Sequence, residues 1–141
     1  MKSITLKYLN LIICFTLLLI SCREEIIDPE NNSGNVNEPY KSNQSNSYTF
    51  ILNADKISQK VIDYPRITYP NSRIFISVLD YSSGSVEITI LSQAREIIFK
   101  SILVEDNKGT YKFLQGTRPD MIEINFANFT GKLKFQLRGI I

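Results

Sequence analysis

The residues best suited to bind a ligand lie in one short segment around two prolines, which contains Tyr64, Arg66, Tyr69 and Arg73. Tyrosine rings stack on sugar faces or peptide groups, and the planar arginine guanidinium pairs with a carboxylate or phosphate. Tyr81 is expected at the same end of the fold. The segment therefore predicts a contact patch for carbohydrate or protein, with packing of the tyrosines over the end of a sheet fold as the alternative.

Catalysis in this chain would have to rely on carboxylates, because the sequence contains no histidine. That removes the Ser-His-Asp and Cys-His nucleophile systems, the histidine general base and the usual zinc and copper sites. Glycosidases use two carboxyl groups about 5 to 9.5 Å apart, and the candidates are Asp80, Glu87, Glu96 and Asp120. Two of these lie on the solvent sides of predicted strands, so we expect no catalytic residue.

A calcium site is the remaining metal hypothesis, since Glu105, Asp106 and Asn107 cluster at one turn. Calcium takes about six to eight oxygen ligands, more than these three residues supply. Ordinary hairpin turn chemistry explains the stretch from Asp106 to Gly109 without a metal. We therefore expect neither a metal nor a cofactor.

The strongest signal of location is Cys22, which ends the stretch Leu19-Ile20-Ser21-Cys22. Two lysines give the chain a positive start, and Leu9 to Ile20 is almost wholly apolar, as in an export signal. A membrane-spanning helix needs about 20 apolar residues, more than this run supplies. Residues 1–21 are therefore predicted to be a signal peptide.

The four residues ending at Cys22 resemble the lipobox of bacterial lipoproteins, with an aliphatic residue three before the cysteine and a small one directly before it. The resemblance implies cleavage before Cys22 and lipidation of its sulfur and amine. Two or more acyl chains anchor a protein firmly in a bilayer. We expect attachment to the outer membrane, with a soluble secreted protein as the alternative. Glu24 and Glu25 favour the cell surface over the periplasmic leaflet.

Residues 22–46 are predicted to form a disordered acidic tether, because they are rich in asparagine and poor in large apolar side chains. Residues 47–141 carry twelve basic and nine acidic residues, too small an excess to predict nucleic-acid binding. Cys14 lies in the signal and Cys22 is used by the lipid, so the folded domain must depend on its hydrophobic core rather than on a disulfide.

From Tyr48 onward, apolar and polar side chains alternate, which indicates strands with one buried face. Leu133, Phe135 and Leu137, between Lys132, Lys134, Gln136 and Arg138, are the clearest case. The basic row on this strand either contacts anionic lipopolysaccharide or lipid headgroups or protects an exposed edge. Strands are predicted at residues 48–53, 60–62, 73–80, 86–90, 96–104, 110–115, 122–126 and 132–138.

Turn-forming residues separate these runs, including Ser82-Ser83-Gly84 and Asn128 to Gly131, and no segment has a helical period. Residues 47–141 are therefore predicted to be all-β, a single antiparallel β-sandwich of about seven or eight strands. From Arg73 to Arg138 the pattern resembles the small immunoglobulin-like or jelly-roll domains of exported bacterial proteins. That resemblance implies a fold and leaves the function open, because such sandwiches host many activities.

The leading functional hypothesis is a lipid-anchored envelope protein whose sandwich is a non-catalytic binding or structural accessory module. Its expected contacts are the membrane, through lipidated Cys22, and an envelope protein or glycan. The alternative is a carbohydrate-active enzyme, or an inhibitor of one, that uses surface carboxylates or loops.

Overall fold

The computed structural model describes residues 35–141, and all regular secondary structure in this range is β-strand. The six strands form one antiparallel sheet in the order β1-β2-β6-β3-β4, with β5 also paired to β3. They are β1 (Tyr40–Gln44), β2 (Ser47–Asp63), β3 (Asn71–Ser92), β4 (Ile97–Leu103), β5 (Asn107–Leu114) and β6 (Pro119–Ile140). The all-β prediction is confirmed. Residues 35–141 include no helix with the length and apolar character that crossing a bilayer requires.

The long strand β2 folds back on itself. Its 17 residues would span roughly 55 Å if the strand were straight, at about 3.3 Å per residue. Instead, the Tyr48 hydroxyl near its start donates a 2.6 Å hydrogen bond to Asp63 Oδ2 at its end. Because β6 pairs along the length of β2, and β3 along the length of β6, the three strands bend together.

Each of the three long strands bends at a residue in the left-handed region of backbone space: Lys56 (φ 49°) in β2, Asp80 (φ 53°) in β3 and Asn128 (φ 50°) in β6. The pairing register shifts near the same places, and irregularities of this kind kink a strand. The turns predicted at Ser82-Ser83-Gly84 and Asn128 to Gly131 are thus corners within continuous strands, which is why neighbouring predicted strands merge into one.

The bends of the three long strands, at Lys56, Asp80 and Asn128, are together called the corner. Gly84 is required at the corner because β6 approaches it closely. Its φ is 78°, and a Cβ at this position would lie 2.2 Å from the carbonyl oxygen of Asn128 and 2.4 Å from that of Ala127. Both contacts involve backbone, which cannot rotate away. The corner therefore accepts glycine at position 84 and no larger residue.

The bend divides the sheet into two layers that face each other. The five-stranded layer contains β1, β5 and residues 47–54, 71–79 and 131–140 of the long strands; the four-stranded layer contains β4 and residues 57–63, 83–92 and 119–127. The core lies between them, and the Phe50 ring of one layer stacks on the Phe126 ring of the other at 6.2 Å. The predicted β-sandwich is confirmed. The end of the sandwich opposite the corner, where residues 64–70 connect β2 to β3, is called the open end.

Strand β1 is the one element that the sequence pattern does not predict. Tyr40–Gln44 pairs with β2 at an edge of the sheet, so these five residues are part of the sandwich and not of a disordered tether. Their side chains are exposed or half-buried, and an edge strand without a buried face has no apolar alternation to detect. The predicted signal peptide and lipidated Cys22 lie outside the described residues.

Candidate functional site

The two layers differ in charge. Outside the corner, the strands of the five-stranded layer contain no aspartate or glutamate and seven basic residues: Lys41, Arg73, Lys108, Lys112, Lys132, Lys134 and Arg138. Those of the four-stranded layer contain two basic residues, Lys60 and Lys100, and four acidic ones, Asp63, Glu87, Asp120 and Glu123. The positive charge of the sandwich is therefore concentrated in one layer.

Strand register places several of these cations on one outer surface. Lys134 stands opposite Ser77, and Arg138 opposite Arg73, in the ladder between β6 and β3. Directly opposed residues point to the same side of a sheet, and the alternate residues of β6 are buried in the core, so these side chains point outward. We call this surface the basic face; its cations are Arg73, Lys108, Lys132, Lys134 and Arg138.

The cations of the basic face are mostly without acidic partners. Within residues 35–141, only Lys132 among them has a carboxylate oxygen within 4.0 Å, that of Asp80 at 2.7 Å. Aromatic rings support two others: Lys134 Nζ lies 5.5 Å from the centroid of the Phe75 ring, and the Arg73 guanidinium carbon lies 5.3 Å from that of Tyr111. Cation–π contacts hold a cation in place while leaving its charge unneutralised.

Two adjoining cavities follow β3 across the basic face, and both are lined by Phe75. The larger one has a volume of about 360 Å³ and is lined by three lysines, Lys108, Lys132 and Lys134, with Ile51 and Leu79 among its apolar residues. The smaller one, of about 130 Å³, is lined by Arg73, Tyr111, Gln136 and Arg138. The face thus combines apolar surface with cationic side chains along one track.

The outer surface of the four-stranded layer has paired charges instead. Lys60 Nζ lies 2.9 Å from Glu123 Oε2, and Lys100 Nζ lies 3.0 Å from Glu87 Oε2. Each pair joins neighbouring strands of the sheet. Both lysines of this layer are therefore neutralised by a partner on the adjacent strand.

The predicted tyrosine and arginine segment forms the connection between β2 and β3 at the open end. Tyr64 is 58% exposed and Arg66 is exposed, whereas Tyr69 is half-buried. Asn43 fixes the backbone between them: its side-chain amide donates to the Tyr64 carbonyl at 2.9 Å, and its Oδ1 accepts the Arg66 N–H at 3.1 Å. The segment is therefore held rigidly, with Tyr64 and Arg66 facing solvent.

The structure separates the other two predicted binding residues from this segment. Arg73 lies on the basic face. Tyr81 lies at the corner, where its hydroxyl donates to the Gly84 carbonyl at 2.9 Å and its ring is 6.3 Å from that of Phe129. The prediction that Tyr81 shares an end with Tyr64 is wrong, because β3 runs from the open end to the corner before it reaches Tyr81.

Sequence reasoning missed a cleft at the open end. Arg66 and Arg118 line this cleft of about 280 Å³, together with Ser45, Thr68, Asp120 and a group of apolar residues. These residues belong to different connections and to the start of β6, and only the topology of the sheet brings them together. No spacing in the sequence would have indicated it.

A buried polar group closes the same end of the sandwich. Asp63 accepts the hydrogen bond from Tyr48 and lies 2.9 Å from Lys41 Nζ. Burial, and then the bond to Asp63, raise the pKa of Tyr48 well above its usual range. Tyr48 therefore stays neutral at physiological pH and joins the two layers.

The candidate catalytic carboxylates are spread over the molecule. Asp80 is paired at the corner, Glu87 is paired on the four-stranded layer, and Asp120 lies at the open end, 4.0 Å from Arg95. At the candidate calcium turn, Asp106 Oδ1 accepts the backbone N–H of Tyr81 at 2.8 Å. No cluster of three or more possible metal ligands of the histidine, cysteine, aspartate or glutamate type occurs between residues 35 and 141.

No family model matches this chain, and no curated protein matches it. Among solved structures, one of the pilus-forming Bacillus endospore appendages is 14% identical, with a TM-score of 0.45, and the match covers 77% of this chain and 96% of that one. The enzymatically active domain of bacteriophage CBA120 tailspike protein 4 is 13% identical, with a TM-score of 0.37, and the match covers 77% of this chain and 18% of that one. Similarity at this level carries no inference about function.

Proposed function

We propose that the chain is a lipid-anchored cell-envelope protein whose β-sandwich is a non-catalytic binding module, and that the basic face binds an acidic polysaccharide. The observation that carries this proposal is the set of five outward cations, of which only Lys132 has a carboxylate partner within residues 35–141. Cations without partners repel one another, and an anionic ligand relieves that repulsion.

The shape of the face favours a polymer over a compact ligand. From Arg73 to Leu79, β3 extends about 20 Å at roughly 3.3 Å per residue, and the two cavities follow this length. Phe75 and Tyr111 offer ring surface to the C–H faces of sugars. Gln136 supplies a polar side chain for sugar hydroxyls. An extended chain of acidic sugars matches all of these features.

The cations that lie over the aromatic rings favour a polysaccharide over insertion into a membrane. Lys134 and Arg73 lie over the rings of Phe75 and Tyr111, so cations cover part of the aromatic surface. A face that enters a bilayer presents its aromatic and aliphatic side chains to the lipid. On the basic face, Lys134 covers the ring of Phe75, and the ring of Tyr111 is exposed at the edge beside Arg73. This mixture of charge and single rings suits a hydrated anionic chain of sugars.

The lipid anchor is supported by the sequence Leu19-Ile20-Ser21-Cys22 after its apolar run. Attachment through Cys22 would hold the module at the outer membrane, facing the cell surface. Substitution Cys22→Ser is expected to move the protein from the membrane fraction to the soluble or unprocessed fraction, and mass spectrometry of the native protein is expected to find acyl chains on Cys22. An unacylated Cys22 would refute the anchor and leave the binding proposal standing.

Retention on an immobilised polymer tests the binding proposal. The full chain in non-ionic detergent should be retained by polygalacturonate and not by neutral dextran, and salt should weaken retention because the contacts are ionic. The double variant Lys134→Ala/Arg138→Ala should lose at least tenfold in affinity. Its matched control is Lys60→Ala/Lys100→Ala, which removes two lysines from the other layer and should bind as the parent does.

Three results would contradict the proposal. They are equal retention on dextran, equal loss of affinity in the control variant, and preferential binding to anionic lipid vesicles. The last result would identify the basic face as a membrane-docking surface. Circular dichroism of each variant confirms that the sheet is intact.

A further inference from the structure

We infer that the cleft between Arg66 and Arg118 at the open end is a second binding site, which takes the carboxylate of a sugar acid. The cleft has a volume of about 280 Å³, close to the lower end of the range of small-molecule sites, about 300 to 1,000 Å³. It therefore suits a compact ligand, in contrast to the extended basic face. The inference does not depend on the proposed function, because it rests on different residues.

The floor of the cleft is apolar and buried. Pro65, Ile67 and Pro119 line it, and all three are buried in the fold. Two of them are prolines, whose rings fix the local backbone. The C–H face of one sugar ring can pack against this floor.

Two asparagines hold the wall of the cleft in place before any ligand arrives. Asn43 Oδ1 accepts the N–H of Arg66 at 3.1 Å, and Asn46 Oδ1 accepts the N–H of Thr68 at 2.7 Å. The backbone N–H of Asn46 also donates to the Arg66 carbonyl at 2.8 Å. Such preorganisation lowers the entropy cost of binding.

The arginines of the cleft are available to an anion. Within residues 35–141 neither Arg66 nor Arg118 has a carboxylate oxygen within 4.0 Å, and Arg118 makes one weak side-chain contact, to Gln93 Oε1 at 3.4 Å. A guanidinium presents a planar fork that matches the two oxygens of a carboxylate. The cleft therefore offers two such groups to a carboxylate.

Asp120 favours a carboxylate ligand over a phosphate. Its carboxylate lines the same cleft, and its charge is only partly offset by Arg95 at 4.0 Å. The lining of the cleft has two guanidinium charges against the one carboxylate of Asp120. A single carboxylate balances this excess, whereas a phosphate with close to two negative charges exceeds it. Asp120 can also accept hydrogen bonds from hydroxyl groups. A ligand with one carboxylate and several hydroxyls, which is a sugar acid, fits this combination.

Titration of the isotope-labelled full chain in non-ionic detergent, followed by NMR, tests the inference. Glucuronate should give saturable shifts of the amide signals of Arg66, Thr68 and Arg118, and glucose at the same concentrations should give none. The double variant Arg66→Gln/Arg118→Gln should weaken glucuronate binding at least tenfold, while Lys100→Gln on the outer surface of the four-stranded layer should leave it unchanged.

The competing ligands are included as arms of the same titration. Inorganic phosphate that binds as tightly as glucuronate would overturn the assignment, and so would a peptide with a free carboxyl terminus that binds at this cleft while glucuronate does not. Absence of saturable shifts with glucuronate would overturn it as well. Lys134→Ala/Arg138→Ala should keep the glucuronate shifts at Arg66, Thr68 and Arg118, so failure at the cleft and failure at the basic face are distinguishable.

Discussion

The two outer surfaces of the sandwich are made from the same three long strands and differ in how they treat charge. On the four-stranded layer, Lys60 and Lys100 each lie about 3 Å from a glutamate (2.9 and 3.0 Å). On the five-stranded layer, Lys134 and Arg138 have no carboxylate within 4.0 Å among residues 35–141. The four-stranded layer neutralises its own lysines, whereas the five-stranded layer leaves its positive charge available to a ligand.

The change from one surface to the other occurs within each strand, at the corner. In β6, the outward residues are Glu123 and Asn125 before the bend and Lys132 and Lys134 after it. Paired charges on a sheet contribute little to stability and keep the surface soluble. Unpaired cations also keep a surface soluble, but they repel one another in the folded protein, which is why we assign function to the five-stranded layer.

The largest expected effect comes from breaking the corner that creates the two surfaces. Gly84→Ala should reduce the free energy of unfolding by at least about 2 kcal/mol, because it adds a backbone clash to a strained left-handed conformation. Urea denaturation measures this change. Gly116→Ala is the matched control, since position 116 is also left-handed but has no atom within 4 Å of the added Cβ. Equal reductions in the free energy of unfolding at the two positions would show that the backbone of β6 does not clash with a Cβ at position 84.

The next effect concerns the contact that holds the layers together at the open end. Tyr48→Phe should cost about 1.5 kcal/mol, because Asp63 loses a buried hydrogen-bond partner. The pKa of Tyr48 is raised in the folded state, so its contribution is present below the unfolded pKa of about 10 and is lost as the pH rises beyond it. The stability difference between parent and variant should therefore shrink above about pH 10. A constant difference from pH 7 to 11 would contradict this origin.

The smallest effect compares one lysine from each surface. Lys100→Ala should destabilise the protein by about 0.5 kcal/mol, the usual value of an exposed ion pair. Lys134→Ala should be neutral or slightly stabilising, because it relieves repulsion on the basic face. Thermal unfolding of both variants at low and high salt measures the difference, which salt should reduce. Equal destabilisation by the two substitutions would remove the electrostatic distinction between the surfaces.

Much of the fold is predictable from the sequence, because one buried face imposes alternation on strands such as residues 132–138. The bends at the corner are harder to predict from the sequence. Ser82-Ser83-Gly84 has the composition of a hairpin turn, and only the pairing with β6 shows that the strand continues. Strand β1 is invisible because its side chains stay near solvent.

The binding surfaces are less predictable than the fold. Tyr64 and Arg66 do share an exposed region, and the alternation of basic and apolar residues in β6 predicts its basic row. Arg118 joins Arg66, and Arg73 joins Arg138, only through the order of strands in the sheet. Tyr81 shows the converse, since a position near the others in sequence lies at the corner, in the middle of β3.

Mapping polygalacturonate on the labelled full chain by NMR tests the central claim most directly. We predict saturable shifts at Arg73, Ser77, Lys134 and Gln136, which all lie on the basic face, with Glu87 and Lys100 on the opposite surface unchanged. Shifts concentrated at Glu87 and Lys100, or none at saturating polymer, would contradict it.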